Sequence, residues 1–273
     1  MIYTICILIG CLSAFVGSLI GLGGGMILIP ILLFLYQYTD SFSWATPQTI
    51  VGISLLTMVF TALSSTISYW RNGRVDYKTG TLFLIGSLPG SVLGSWLNQF
   101  IAPDKFSLYY GFVMILISLF LFLDRGKNRD LSLQSHKKAN RTFQIGDETY
   151  YYYVPVVPAI LISFGVGMLA GTFGIGGGAI MVPVMILLFR FPVHIAVATS
   201  MFMIFFISLF SSVTHITLGH IAWSYIVFFI GGAFIGGLLG AKTNRMLAGN
   251  TLKWVLRITL IAVSIRLIVD GLT

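Results

Sequence analysis

The residues best placed to do chemistry in this chain are mostly ones without a side chain. Gly21, Gly23, Gly24 and Gly25 stand in "GLGGGMILIP", and Gly174, Gly176, Gly177 and Gly178 stand in the near copy "GIGGGAIMVP". Each run closes on a proline, Pro30 or Pro183. Glycine in a helix costs about 1 kcal/mol relative to alanine, so two such runs in one arrangement need a physical reason. Consecutive glycines leading into a helix expose backbone N–H groups with nothing in front of them. Together with the positive end of the helix that follows, those donors suit an anion. Gly21, Pro30, Gly174 and Pro183 mark where the helical path is expected to break.

Hydroxyls supply a second set of donors. Ser54 lies in "VGISLL", and Thr199 and Ser200 lie in "VATSMF". Farther along come Ser64, Ser65 and Thr66, then Ser211, Ser212 and Thr214. Any one of them serves equally well as a hydrogen bond between helices. Ser54 and Ser200 rank above the rest because they occupy equivalent places in a repeat described below, and a hydroxyl can donate to a tetrahedral oxyanion without adding charge. The candidate binding set is therefore Gly23, Gly24, Gly25, Ser54, Gly176, Gly177, Gly178, Thr199 and Ser200. Close packing, or a fixed bend without ligand contact, are the competing readings of the glycines. The spacing of Gly174, Gly176 and Ala179 also fits a dinucleotide fingerprint, but that motif needs a preceding strand.

The elements that must position these groups are apolar. The chain has 273 residues, 57% of them hydrophobic and 9% charged, with a mean hydropathy of +0.95. Soluble domains carry about 25% charged residues, so this is a polytopic membrane protein. Its continuous apolar runs exclude the alternation of a membrane β-barrel. The first run, 2–20, has no basic residue before it and leads straight into the glycines, so it reads as a retained helix. Cys6 and Cys11 lack a ligand or disulfide pattern. The net charge of +8 gathers in the connections, which orients a membrane protein and does not call for nucleic acid.

The chain repeats itself. Gly21, Gly23, Gly24, Gly25 and Pro30 align with Gly174, Gly176, Gly177, Gly178 and Pro183. After one gap, Ser54, Ser65, Gly73, Gly90, Gly94 and Asn98 align with Ser200, Ser211, Gly219, Gly236, Gly240 and Asn244. This divides the chain into a first membrane repeat, 1–123, a linker, 124–154, and a second repeat, 155–273. Apolar segments fall at 2–20, 25–38, 47–70, 79–100 and 106–123, then at 155–172, 178–190, 195–218, 223–241 and 252–270.

An odd number of segments inverts the second repeat, and charge follows that pattern. Arg71, Arg74 and Lys78 fill connection 71–78, whose counterpart 217–224 has no Lys or Arg. Lys242, Arg245 and Lys253 fill 242–253, whose counterpart 96–107 has only Lys105, beside Asp104. By the positive-inside rule both termini lie outside, and the linker, with Arg125, Lys127, Arg129, Lys137, Lys138 and Arg141, is cytoplasmic. A short β-hairpin about Gly146–Asp147 is expected within it. The fold class is thus all-α, with two inverted repeats of five segments. It holds about eight full spans plus short segments led by the glycines.

Segments 25–38 and 178–190 are too short to span about 30 Å of hydrocarbon, and short segments at matching places are the best pointer to a transporter's site. All eight acidic residues fall in connections or at segment ends, so no mid-membrane carboxylate is on hand to carry a coupling proton. An anion leaving a cell with a negative interior gains about 2.3 kcal/mol per charge per 100 mV. An intramembrane enzyme is set aside: the chain has no H-E-x-x-H, no G-x-S-x-G and no membrane Asp pair.

The doubled G-x-G-G-G…P element, the serine at the start of the next helix and the glycine-spaced fourth segment resemble the TauE/SafE sulfite exporter family over nearly the whole chain. In that family the serine often follows a threonine, as in Thr199–Ser200 but not Ile53–Ser54. The resemblance implies transport of sulfite, sulfonates or related small anions across the cell membrane, export being favoured. Uptake by the same fold and a purely structural membrane role are the alternatives. Expected partners are the anion and the bilayer, with a homo-oligomer left open, and no nucleic acid, metal or cofactor.

Overall fold

The computed structural model describes residues 2–122, 140–145, 148–249, 251–252, 254–255 and 258–259. Most of the expected linker, and most of the expected segment 252–270, lie outside the described residues. So do Gly146 and Asp147.

The long apolar runs become helices: α1 (Ile2–Ile20), α2 (Gly25–Tyr38), α3 (Pro47–Trp70), α4 (Tyr77–Asn98) and α5 (Pro103–Phe122). A short strand pair follows, β1 (Arg141–Ile145) and β2 (Glu148–Tyr152), antiparallel with Arg141 opposite Tyr152. Then come α6 (Val156–Phe173), α7 (Gly178–Leu187), α8 (Val193–Thr217) and α9 (Trp223–Asn244). Six of these helices are long and apolar enough to cross a membrane: α1, α3, α4, α6, α8 and α9. The protein is a multi-pass helical membrane protein.

Local signals set the helix ends. Thr46 caps α3, its hydroxyl accepting from Thr49 N–H, and Pro47 takes the first helical position, where no N–H is needed. Asp76 caps α4 through Thr79 N–H at 3.1 Å. Pro30 and Pro183 lie inside α2 and α7, and the helix continues past each. There they leave the carbonyls of Met26 and Ala179 without the usual helical donor.

Packing crosses between the two halves of the chain. On α4, Gly86, Gly90 and Gly94 lie so close to α6 that an added Cβ would stand 2.2, 2.2 and 1.9 Å from the carbonyl oxygens of Ile160, Phe164 and Met168. On α9, Gly232, Gly236 and Gly240 meet the carbonyls of Ile7, Cys11 and Phe15 on α1 at 2.1, 2.2 and 2.2 Å. Each contact of one set has its counterpart in the other at the aligned position. Between these flanking pairs α3 and α8 pack together, α3 also touching α9 and α8 touching α4. On α6, Gly167 and Gly171 approach the carbonyls of Ser87 and Ser91 in the same way, so dispersion and backbone approach hold the helices where lipid offers no hydrophobic drive.

Candidate functional site

The two glycine runs form two tight loops that touch each other at the centre of the molecule. Gly21, Gly23 and Gly24 have φ of 80°, 81° and 95°, and Gly174, Gly176 and Gly177 have 70°, 67° and 75°. Left-handed backbone at these places is close to a glycine privilege, which explains the run in each copy. Gly24 and Gly177 are the N-caps of α2 and α7 and carry no side chain to cap them. The N–H groups of Gly24, Gly25 and Met26, and of Gly177, Gly178 and Ala179, donate no hydrogen bond among the described residues. Six unspent donors thus sit at two helix starts inside a buried region.

A reciprocal latch joins the loops. Ser54 Oγ on α3 donates to the carbonyl of Gly174 at 2.8 Å, and Ser200 Oγ on α8 donates to the carbonyl of Gly21 at 2.9 Å. Ser200 Oγ also lies 2.8 Å from the carbonyl of Val197. Both serines are fully buried. Each half of the chain therefore holds the other half's loop. Gly25 and Gly178 permit this approach, since a Cβ on them would stand 2.4 Å from Gly174 O and 2.3 Å from Gly21 O.

Two apolar side chains fill the space between the loops. Met58 Sδ lies 3.0 Å from where a Gly23 Cβ would be and 2.6 Å from where a Gly176 Cβ would be. Ile204 Cγ2 lies 3.1 and 3.3 Å from the same two points. Met58 and Ile204 occupy aligned positions of α3 and α8, and both are buried. The unspent donors are consequently sealed in this conformation.

Thr199 stands apart from the loops. Its hydroxyl accepts the backbone N–H of Asp76 at 3.1 Å, tying α8 to the start of α4. Asp76 also accepts the Thr79 hydroxyl at 2.5 Å and the Tyr152 hydroxyl. Burial, reinforced by the neighbouring Asp76 carboxylate, holds the Tyr152 phenol far above its usual range, so it stays a donor. Tyr152 also packs on Phe191, with ring centroids 4.1 Å apart, and so docks the strand pair onto the helices.

Sequence reasoning passed over four groups that the structure brings close. Asp76 sits in a connection, yet it is only 5% exposed. Asn244 Nδ2 donates to Leu19 O, and Asn98 Nδ2 donates to Thr172 O, each at 2.7 Å. These carbonyls belong to the last turns before the glycine loops, and the alignment of Asn98 with Asn244 was the available signal. Tyr69 Oη likewise donates to Ser18 O at 2.9 Å.

Glycine-led helix starts converging inside a bundle of apolar spans define a membrane transporter architecture rather than a soluble binding domain. The family model described as "Sulfite exporter TauE/SafE" matches residues 6–267. The chain belongs to the TauE/SafE family. It is 45% identical to the probable membrane transporter protein YunE of Bacillus subtilis, over 100% of this chain and 99% of that one. It is 24% identical to the probable membrane transporter protein YdhB of the same organism, over 95% and 96%. A probable membrane transporter protein of Xylella fastidiosa is 26% identical over 95% and 92%. No solved structure matches the chain significantly.

Proposed function

We propose that the protein exports a small sulfur-containing anion, sulfite or an organic sulfonate, by alternating access, and that the two glycine loops form its binding site. The observation that carries this reading is the convergence of six unspent N–H donors at two facing helix starts. Two positive helix ends and a dry surround favour a compact anion there, because electrostatic attraction strengthens as water is excluded. Gly23, Gly24, Gly25, Gly176, Gly177 and Gly178 supply backbone donors. Ser54 and Ser200 turn from the opposing carbonyls to the anion when the latch opens. Met58 and Ile204 withdraw at the same time. Thr199 acts at a distance, through the start of α4. The membrane potential alone can drive the anion outward, and no mid-membrane carboxylate is on hand in the sequence to carry a coupling proton.

The same reading takes the halves 1–123 and 155–273 as inverted repeats, with both termini outside and 124–154 in the cytoplasm. Reporter fusions at Arg141 and Ala248 then read cytoplasmic, and one at Gly219 reads outside. The decisive assay loads proteoliposomes with labelled sulfite, sulfoacetate, taurine or sulfate and imposes a potential. Flux of at least one of them, faster when the anion leaves a negative compartment, is expected. Absence of flux for all four, from protein that unfolds cooperatively, refutes the substrate class.

A further inference from the structure

The two ends of the molecule are built on aligned residues but differ in charge. At the end that holds connection 71–78, Asn244 and Tyr69 hold the last turn of α1 through Leu19 O and Ser18 O, just before the first glycine loop. Arg245 Nη1 donates to Asn72 Oδ1 at 2.8 Å. His194 Nδ1 lies 3.4 Å from Asn244 Oδ1, whose amide in turn holds Leu19 O. The backbone N–H of Arg74 donates to Tyr69 O at 3.3 Å, which sets this arginine against the last turn of α3. The Nη1 of Arg74 is buried and has no partner, and no carboxylate pairs with either arginine among the described residues. The carboxylate nearest in sequence, Asp76, is already taken by Tyr152 and Thr79.

An arginine that merely reaches for headgroups or water would put its guanidinium in the open. Arg74 is half-buried, and its sheltered Nη1 is left unspent, which is costly for a charged group unless an anion visits it. The aligned positions at the other end carry no fixed charge. Gln48 replaces His194 and gives its amide to Ile101 O at 3.0 Å. Gln99 replaces Arg245 and gives its amide to Trp96 O at 3.0 Å. His220 replaces Arg74, and its Nδ1 lies 3.1 Å from Nδ1 of His215, which replaces Tyr69.

We propose that Arg74, Arg245 and His194 form an anion-gathering mouth beside the first glycine loop, a site for a small oxyanion that the opposite end lacks. This rests on the transport reading above and adds a direction to it, because only one mouth concentrates the substrate. A guanidinium with a free edge suits a planar or tetrahedral oxyanion.

The test measures equilibrium binding of labelled sulfite, sulfate and sulfoacetate to the purified full-length protein in phosphatidylcholine nanodiscs. Flux from each face of sided proteoliposomes is measured alongside. Wild type binds at least one probe, more weakly as salt rises. In Arg74→Gln/Arg245→Gln the dissociation constant rises on the order of tenfold. The half-saturation concentration rises similarly, but only for loading from the face bearing residues 71–78. Arg74→Lys/Arg245→Lys restores a large part of the affinity, and thermal unfolding confirms that both variants fold.

Binding that is lost in the glutamine variant, with no flux in any protein, keeps the mouth and refutes transport. Flux with unchanged binding and unchanged half-saturation at that face refutes the mouth and keeps transport. An equal rise at both faces, a lysine variant as weak as the glutamine one, or no binding of any probe overturns the proposal. So does complete displacement of the probe by added phosphatidylglycerol, which would assign the cluster to a lipid headgroup.

Discussion

Gly25→Ala places one methyl group where the two loops touch. The backbone at Gly25 is helical, so the substitution brings no strain in φ and its whole effect comes from crowding. The new Cβ would stand 2.4 Å from Gly174 O, 2.5 Å from Ser54 Oγ and 2.8 Å from Met58 Cε. Comfortable contacts need about 3.5 Å, so the loops must part by about 1 Å. Overpacking of this kind costs about 1–3 kcal/mol. Losing the Ser54–Gly174 hydrogen bond, which the separation stretches, adds about 1–3 kcal/mol. The gain in helix propensity returns at most about 1 kcal/mol. A net loss of about 1–5 kcal/mol follows, or a fall in midpoint on the order of 10 °C.

Gly178→Ala, with Gly21 O at 2.3 Å, should behave alike. Two controls separate crowding from backbone strain. Gly177 has φ of 75° but no atom nearer than 3.4 Å to an added Cβ, so Gly177→Ala carries only left-handed strain, about 1–2 kcal/mol. Gly165 has nothing within 4 Å, and Gly165→Ala should be neutral or stabilising. Thermal unfolding in detergent, followed by flux in liposomes, gives the order. A Gly25→Ala protein that melts and transports like wild type would show that the loops are not held in contact, and the reasoning from their geometry would fail.

Three further expectations concern the latch, the seal and the His215–His220 pair. Ser54→Ala and Ser200→Ala should each lower stability by about 1–3 kcal/mol, because each strands a buried carbonyl. Since both serines close one junction, a thermal double-mutant cycle should show coupling, and strict additivity would contradict a shared latch. Met58→Ala removes half of the seal and costs about 2–4 kcal/mol as a cavity; loop amides then exchange faster with deuterium, and unchanged protection refutes the seal. Burial holds His220 below its ordinary value. A depressed histidine favours the neutral fold, so its contribution is complete above the unfolded pKa of about 6.5 and erodes as pH falls below it. The midpoint should drop between pH 7.5 and 5.5, less steeply in His220→Gln; equal slopes would exclude His220 as the source.

Apolar length made the helices readable, because a span needs continuous hydrophobicity and little else. Their ends were less so: α4 begins at Tyr77 rather than 79 because Asp76 and Thr79 build a cap. The segment expected at 178–190 ends as a helix at Leu187, and Arg190 turns left-handed at φ 59°. The glycine loops were legible as bends because few other residues accept their backbone. Which atoms meet across them was not, since Ser54 and Gly174 are distant in sequence and only the folded bundle brings them together. Thr199 looked like a partner of Ser200, yet one helical step turns its hydroxyl towards Asp76. The burial of Asp76 was hidden because Tyr152, which covers it, comes from the linker.

The seams of α1 with α9 and of α4 with α6 also set a timetable for biogenesis. The glycine face of α4, and the α1 face that receives the glycines of α9, have no partner until the ribosome has made Val156–Phe173 and Trp223–Asn244. At about 5–20 residues per second, α1 waits on the order of ten seconds or more for α9. During that interval the first half sits in the bilayer with its narrow seams filled by lipid or by a holding factor. The two halves, made as separate chains, should therefore be able to find each other, whereas neither should settle into a compact bundle alone.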